Sequence, residues 1–342
     1  MQMASGFQLI ICIFFLVLST FAQTAEIDSV TTRRVVLEDS LDQLNSIIND
    51  RIQEGVDSAN KWQSGFGTLP KEGTCDEETL YRELRKSIFD SLTASWGLKG
   101  YSLDKQLRIL LAGKSYSLPL KDSIYRDINY IEGFSLNLKE LSDVVTIDGH
   151  LIGLDKIGHF FSEGWDYFEQ THEEDKSLLQ AIQWGRDQEK GMFGYATTGI
   201  YSYADLVSNF NGWRFWNKVL QKKDDPLKGR FANFFTSSYI GCSIQILDSI
   251  RSREIVRKWR VKQKFNLMDF LDGTWDEGNN CVSYNDPLIE EKVMARIYAV
   301  DPDFMCPRTQ EDCSKGREKY GKYAKYILHP ACLTVKSIEK NK

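Results

Sequence analysis

The chain has 342 residues, of which 42% are hydrophobic and 27% charged, the balance of a globular protein rather than a disordered one. That length can bury a sizeable core in one large domain or two ordinary ones. A formal net charge of −5 argues against nucleic acid as a partner, because phosphate binding needs a basic surface.

Residues 9–18 are continuously apolar, and Ser19-Thr-Phe-Ala22 supplies the small residues preferred before signal peptidase cleavage. A signal peptide over residues 1–22 follows. The run is shorter than the roughly 17–25 apolar residues that span a bilayer. No later stretch is apolar enough to cross, so no transmembrane span is expected after the signal peptide. The mature chain is therefore expected to be exported, either periplasmic or secreted. Removing the signal removes Cys12 and leaves Cys75, Cys242, Cys281, Cys306, Cys313 and Cys332. An even number in an exported chain suggests disulfides. Cys306 and Cys313 flank a short polar loop and are the expected local pair.

Residues 35–60 repeat apolar positions at helical spacing, at Leu37, Leu41, Leu44, Ile48 and Ile52. Residues 62–73 are rich in Gly and Pro and read as a loop. Thr74-Cys-Asp-Glu77 matches a capping box, ahead of a helix carrying Leu80, Leu84, Ile88 and Leu92. Ser102 is expected to cap another helix that Gly113 ends. Asp148-Gly149, between Val144-Val-Thr-Ile147 and His150-Leu-Ile152, predicts a β-hairpin with a two-residue turn.

Two further helices, in 151–172 and 202–220, place polar groups beside large rings. On the first, Asp155, His159 and Glu163 are spaced i, i+4, i+8 and span only about 80° of the circumference. Ile157, Phe160, Phe161, Trp165 and Phe168 occupy the opposite arc. Such a column could hold a general base with its orienting carboxylate, or metal ligands. It is also where an amphipathic helix puts its solvent face, and Asp155 could simply be the N-cap. On the second helix, Ser202-Tyr-Ala-Asp205 is a capping-box-like start. Asn209 falls between Trp213 and Trp216, where an amide costs about 1–3 kcal/mol unless it is hydrogen-bonded. Leu206, Phe210 and Trp213 are expected in the core with Phe160 and Trp165.

The connection 184–199 is read as a glycine-rich loop, with Glu189 and Thr198 as candidate ligand-binding wall residues beside Asp205 and Asn209. It matches neither a P-loop nor a dinucleotide fingerprint, so no cofactor is assigned. Asp224-Asp-Pro226 marks a turn, and residues 231–252 are apolar enough for a buried element. The basic run 251–264 reads as a solvated helix face. Trp275, in the acidic stretch 272–281, is expected to pack inward. One helix is expected near 287–298. The fold class is mainly α: a helical domain with a small β-hairpin and disulfide-stapled loops. The division is an N-terminal helical region over 23–140 and a main helical domain over 141–342 that carries the candidate site.

At Asp155-Lys-Ile-Gly-His159-Phe160 the chain resembles bacterial cell-envelope families that carry an Asp-Lys-x-x-His-Phe stretch, among them the VanZ-like proteins and the small YfiM-like lipoproteins. The resemblance implies an envelope setting and points to Asp155 and His159. Three readings follow. The first is a non-catalytic binding or structural protein of the envelope, with envelope glycan or lipid as partner. The second is an envelope hydrolase or transferase with His159 as acid/base, Asp155 or Glu163 orienting it, and Asp205 with Asn209 positioning substrate. The third is a helix-bundle metal site built from His159, Glu163 and Asp205. All three turn on whether His159 and Asn209 face one another.

Overall fold

The computed structural model describes residues 26–62, 75–89, 103–138, 140–191, 194–248 and 253–334. The expected signal peptide, the loop over 63–73, Leu92 and the Ser102 cap lie outside the described residues. The described chain is mainly helical, with three two-stranded antiparallel pairs.

Helix α1 (Leu41–Trp62) buries Leu44, Ile48 and Ile52, the inner part of the expected stripe. It packs on α2 (Glu77–Ile88), which buries Leu80, Leu84 and Ile88. The cap of α2 differs from the expected box. Asp76, not Thr74, is the N-cap, and its side chain accepts from Thr79 N at 2.8 Å. A carboxylate at this position also meets the positive end of the helix dipole. Helix α3 (Leu103–Leu110) ends before Gly113, which adopts φ +89° in the following turn. A short α4 (Phe134–Leu138) precedes the hairpin of β1 (Val144–Ile147) and β2 (His150–Gly153). Asp148 and Gly149 both take positive φ, the two-residue turn that the Asp-Gly pair predicts.

Helix α5 (Leu154–His172) follows the hairpin directly. Helix α6 (Leu178–Lys190) starts with a complete capping box, Ser177 with Gln180. It replaces the first half of the expected loop over 184–199 and puts Glu189 on a helix. Strand β3 (Ile200–Ser202) leads into α7 (Tyr203–Leu220), where the Ser202 hydroxyl accepts from Asp205 N at 3.3 Å. Helices α5 and α7 form the most extensive helix pairing among the described residues. Gly164 and Gly212 let them touch: a Cβ on Gly212 would lie 1.8 Å from the Phe160 carbonyl oxygen. Phe160, Trp165, Leu206, Phe210 and Trp213 are all buried, as the wheel placed them.

The later chain departs further from expectation. The short α8 (Arg230–Phe234) leaves Phe231, Phe234 and the adjoining Phe235 more than three-quarters exposed. Within the expected 231–252 element, the described residues 231–248 are thus no single buried element. They run through that helix into β4 (Ile240–Asp248). Residues 253–261 of the basic run form a strand, β5 (Arg253–Val261), paired with β4 rather than a helix face. Along it Trp259 is buried and the adjacent Arg260 is exposed, on opposite faces of the strand. Strand β6 (Val282–Tyr284) pairs with β3, and α9 (Pro287–Val300) lies where a helix was expected. Helices α10 (Gln310–Tyr320), α11 (Ala324–Ile327) and α12 (Pro330–Thr334) close the described chain.

Three disulfides tie these parts together: Cys75–Cys242, Cys281–Cys306 and Cys313–Cys332. The expected Cys306–Cys313 bond does not form. Cys313 sits on the inward face of α10, fully buried towards Cys332 of α12, while Cys306 lies in the preceding loop against Cys281. Helix orientation overrides the ease of closing a short loop. One hydrophobic core draws on α1, α2 and α3 as well as α5, α6, α7 and the ribbon. A second cluster lies under α9, with Ile124, Ile128, Leu136 and Ile200.

Candidate functional site

The polar column of α5 does not face water. Asp155, His159 and Glu163 are buried, and α7 and the 272–281 segment cover them. The solvent-face reading therefore fails, because a helix wheel cannot see which elements pack on the polar arc. Nor is Asp155 the N-cap: Gly153 holds that position, and Asp155 N donates to Ser142 Oγ at 3.0 Å.

His159 and Asn209 meet directly. Nδ1 lies 3.1 Å from Asn209 Oδ1, and an amide oxygen can only accept, so the ring hydrogen is on Nδ1. This contact answers the question raised by an amide among tryptophans. Glu163 lies on the same side of the ring, 3.7 Å from Nδ1, and accepts a short hydrogen bond from Ser162. On the other side, Nε2 faces Asp205 Oδ2 at 3.3 Å. Asp205 thus uses its backbone in the helix cap and turns its carboxylate to the column. Glu189 approaches from α6, so that one ligand-type atom from each of His159, Glu189 and Asp205 falls within 4.8 Å of the others. Gly194 leaves room for it, since a Cβ there would lie 3.0 Å from Glu189 Oε2.

The centre of the cluster is Lys156, which the sequence reading passed over although it stands inside Asp-Lys-x-x-His-Phe. Its side chain is 0% exposed. Its Nζ meets Asp155 Oδ2 at 2.9 Å, Asp205 Oδ1 at 2.6 Å and Glu277 Oε1 at 2.6 Å. The ammonium thus donates a hydrogen bond to Asp155 and pairs in charge with all three carboxylates, the compensation a buried lysine needs. Glu277 also accepts from Ser202 Oγ at 2.9 Å, and Thr198 Oγ1 donates to Glu26 Oε1 at 2.9 Å. Thr198 therefore joins the site through Glu26 rather than as a bare wall. Glu26 and Glu277 were missed because nothing local marks them: their partners are more than a hundred and seventy, and seventy-five, residues away in sequence.

Six buried carboxyl groups, those of Glu26, Asp155, Glu163, Glu189, Asp205 and Glu277, thus surround one lysine and one imidazole. Burial pushes the carboxyls of Glu26, Glu189 and Glu277 upward, neighbouring carboxylates add to this, and Lys156 opposes it. Asp155 is raised, again chiefly by burial, to about 7. Burial disfavours the charged forms of Lys156 and His159. For Lys156, Asp155, Asp205 and Glu277 outweigh it; for His159, Asp205 and Glu163 do, so both are raised. Comparison with known proteins finds no family model, no curated protein and no solved structure that matches the chain. The site therefore rests on its own chemistry. That chemistry is a charge-dense, enclosed cluster able to hold protons or a cation.

Proposed function

We propose that the chain is an exported protein of the cell envelope with a non-catalytic role, in which the Lys156–His159 cluster holds structure or a small bound group and turns over no substrate. The observation that carries this is closure. His159 is 2% exposed, and both of its ring nitrogens face protein groups. A general acid must reach the atom it protonates, within about 2.6–3.2 Å or through one water. Three disulfides support export, since such bonds persist in oxidising compartments. No helix among the described residues is long and apolar enough to cross a membrane.

Exchange of the histidine C2 proton for deuterium, followed by mass spectrometry, tests closure. The plateau rate at high pH reports access independently of pKa. In chelator-treated native protein His159 should exchange at least about tenfold more slowly than the half-buried His150. Equal plateau rates would return the cluster to solvent, and with it the acid/base reading.

The partner would then meet another surface. Phe231, Phe234 and Phe235, at 85%, 82% and 80% exposure, follow Arg230 in the sequence, the Phe234 and Phe235 rings touch, and exposed rings of this kind favour envelope lipid over glycan. Co-sedimentation with anionic lipid vesicles should fall by about tenfold or more in Phe231→Ser/Phe234→Ser/Phe235→Ser. Unchanged binding removes lipid from the reading.

A further inference from the structure

We propose that His159 Nε2, Asp205 and Glu189 form a binding site for one divalent first-row transition ion, for which Zn2+ is the probe. The inference rests on the reading above that the cluster holds its occupant rather than turning it over.

The spacing comes first. The three ligand atoms lie within 4.8 Å of one another on three different elements, α5, α6 and α7. Atoms bound to one ion at about 2.0–2.2 Å sit roughly 3–4 Å apart, so side-chain rotations of about 1 Å close the set. Asp205 divides its carboxylate between two duties: Oδ1 pairs with Lys156, and Oδ2 faces the imidazole.

The second observation is the imidazole itself. With the hydrogen on Nδ1 given to Asn209, Nε2 is the nitrogen left to hold a proton or a metal ion. It lies 3.3 Å from a carboxylate oxygen and makes no hydrogen bond, in a side chain 1% exposed. A lone pair set against a carboxylate is repulsive unless a positive centre stands between them. In the metal-free site a proton can supply that charge, since the carboxylates favour the imidazolium, and a metal ion on Nε2 displaces it. An amide or backbone oxygen on the far nitrogen is, moreover, how metal-bound histidines are oriented. Glu163, on the Nδ1 side, belongs to that orienting shell, so Glu189 takes the place the sequence assigned to it as a ligand.

Charge points the same way. Six carboxyl groups face one lysine and one imidazole, and burial raises several of them toward the protonated form, so a dication would displace protons and leave them ionised. One nitrogen and two carboxylates, without thiolate, suit Zn2+ or Mn2+ rather than Cu(I). The imidazole argues against Mg2+ and Ca2+, which take oxygen ligands.

The oxidised full chain, stripped with chelator in mild urea and returned to buffer, is titrated by calorimetry with Zn2+, Mn2+, Mg2+ or Ca2+. One equivalent of Zn2+ should bind and raise Tm, and Mg2+ and Ca2+ should not. Glu189→Gln and Asp205→Asn, each checked for native circular dichroism, should weaken Zn2+ binding by about tenfold or more. Should either variant fail to fold, X-ray absorption on the Zn2+-loaded native chain decides, and imidazole scattering is expected. Absence of Zn2+ binding overturns the proposal, as does equal affinity for Ca2+, binding untouched by both substitutions, or an oxygen-only shell. Those failures leave the closed, non-catalytic reading standing if His159 still exchanges slowly. Fast exchange at His159 removes that reading whatever the metal does.

Discussion

Gly212→Ala is expected to destabilise the protein by ~3 kcal/mol or more, at or above the upper end of ordinary overpacking. The added Cβ would stand 1.8 Å from the Phe160 carbonyl oxygen and 2.8 Å from the Gly164 Cα. Both are main-chain atoms, so no rotamer change relieves the contact. The helices must separate, and their separation would pull His159 from Asn209 and Lys156 from Asp205. In a helix interior alanine is otherwise preferred over glycine by roughly 0.5–1 kcal/mol, so propensity acts in the opposite direction. Gly158 on α5 is the control. A Cβ there meets nothing within 4 Å, and Gly158→Ala should be neutral or slightly stabilising. Urea unfolding of both variants against the native chain measures this. A Gly212→Ala midpoint equal to the native one would mean that the helices do not approach this closely.

That pair of glycines shows where sequence reading stops. Periodicity placed Phe160, Trp165, Leu206, Phe210 and Trp213 in the core, because apolar spacing records burial directly. The hairpin was equally legible, since an Asp-Gly turn is set by the φ preferences of two adjacent residues. The polar arc of α5 was ambiguous, and rightly so. Whether Asp155, His159 and Glu163 meet water depends on Asp205 and Glu277, which arrive from elsewhere in the chain. Asn209 was the one local clue, through the cost of an unpaired amide among rings. Lys156 had no comparable signal, because a lysine beside an aspartate on a helix is ordinary on a surface. The disulfides were misread for a related reason. Closeness in sequence favours Cys306–Cys313, but the direction in which α10 presents Cys313 decides its partner.

Lys156→Met in the metal-free protein should cost about 3–5 kcal/mol near pH 8, the penalty for breaking a buried ion pair by removing one partner. Methionine fills most of the volume of the lysine, so the loss reads charge rather than a cavity. Asp155, Asp205 and Glu277 would then face one another without the ammonium that joins them. The pH dependence gives the test its sign. Asp155 is raised from an ordinary value near 4 to about 7, and Glu277, Glu26 and Glu189 are raised as well, all chiefly by burial. An acid whose folded pKa exceeds its unfolded one binds more protons when folded. Its contribution is full below the unfolded value and is lost as pH rises through the folded one. For Asp155 that window runs from about pH 4 to about pH 7. Lys156 is itself raised and stays charged throughout, and it opposes the upward shifts of these carboxyls. Without it the shifts grow, so the loss of stability with rising pH steepens. The gap between native and variant should therefore widen from pH 5 to pH 8 in chelator-treated urea titrations. A cost that is the same at both values, or absent at pH 8, would show that Lys156 does not hold these carboxylates in their charged form.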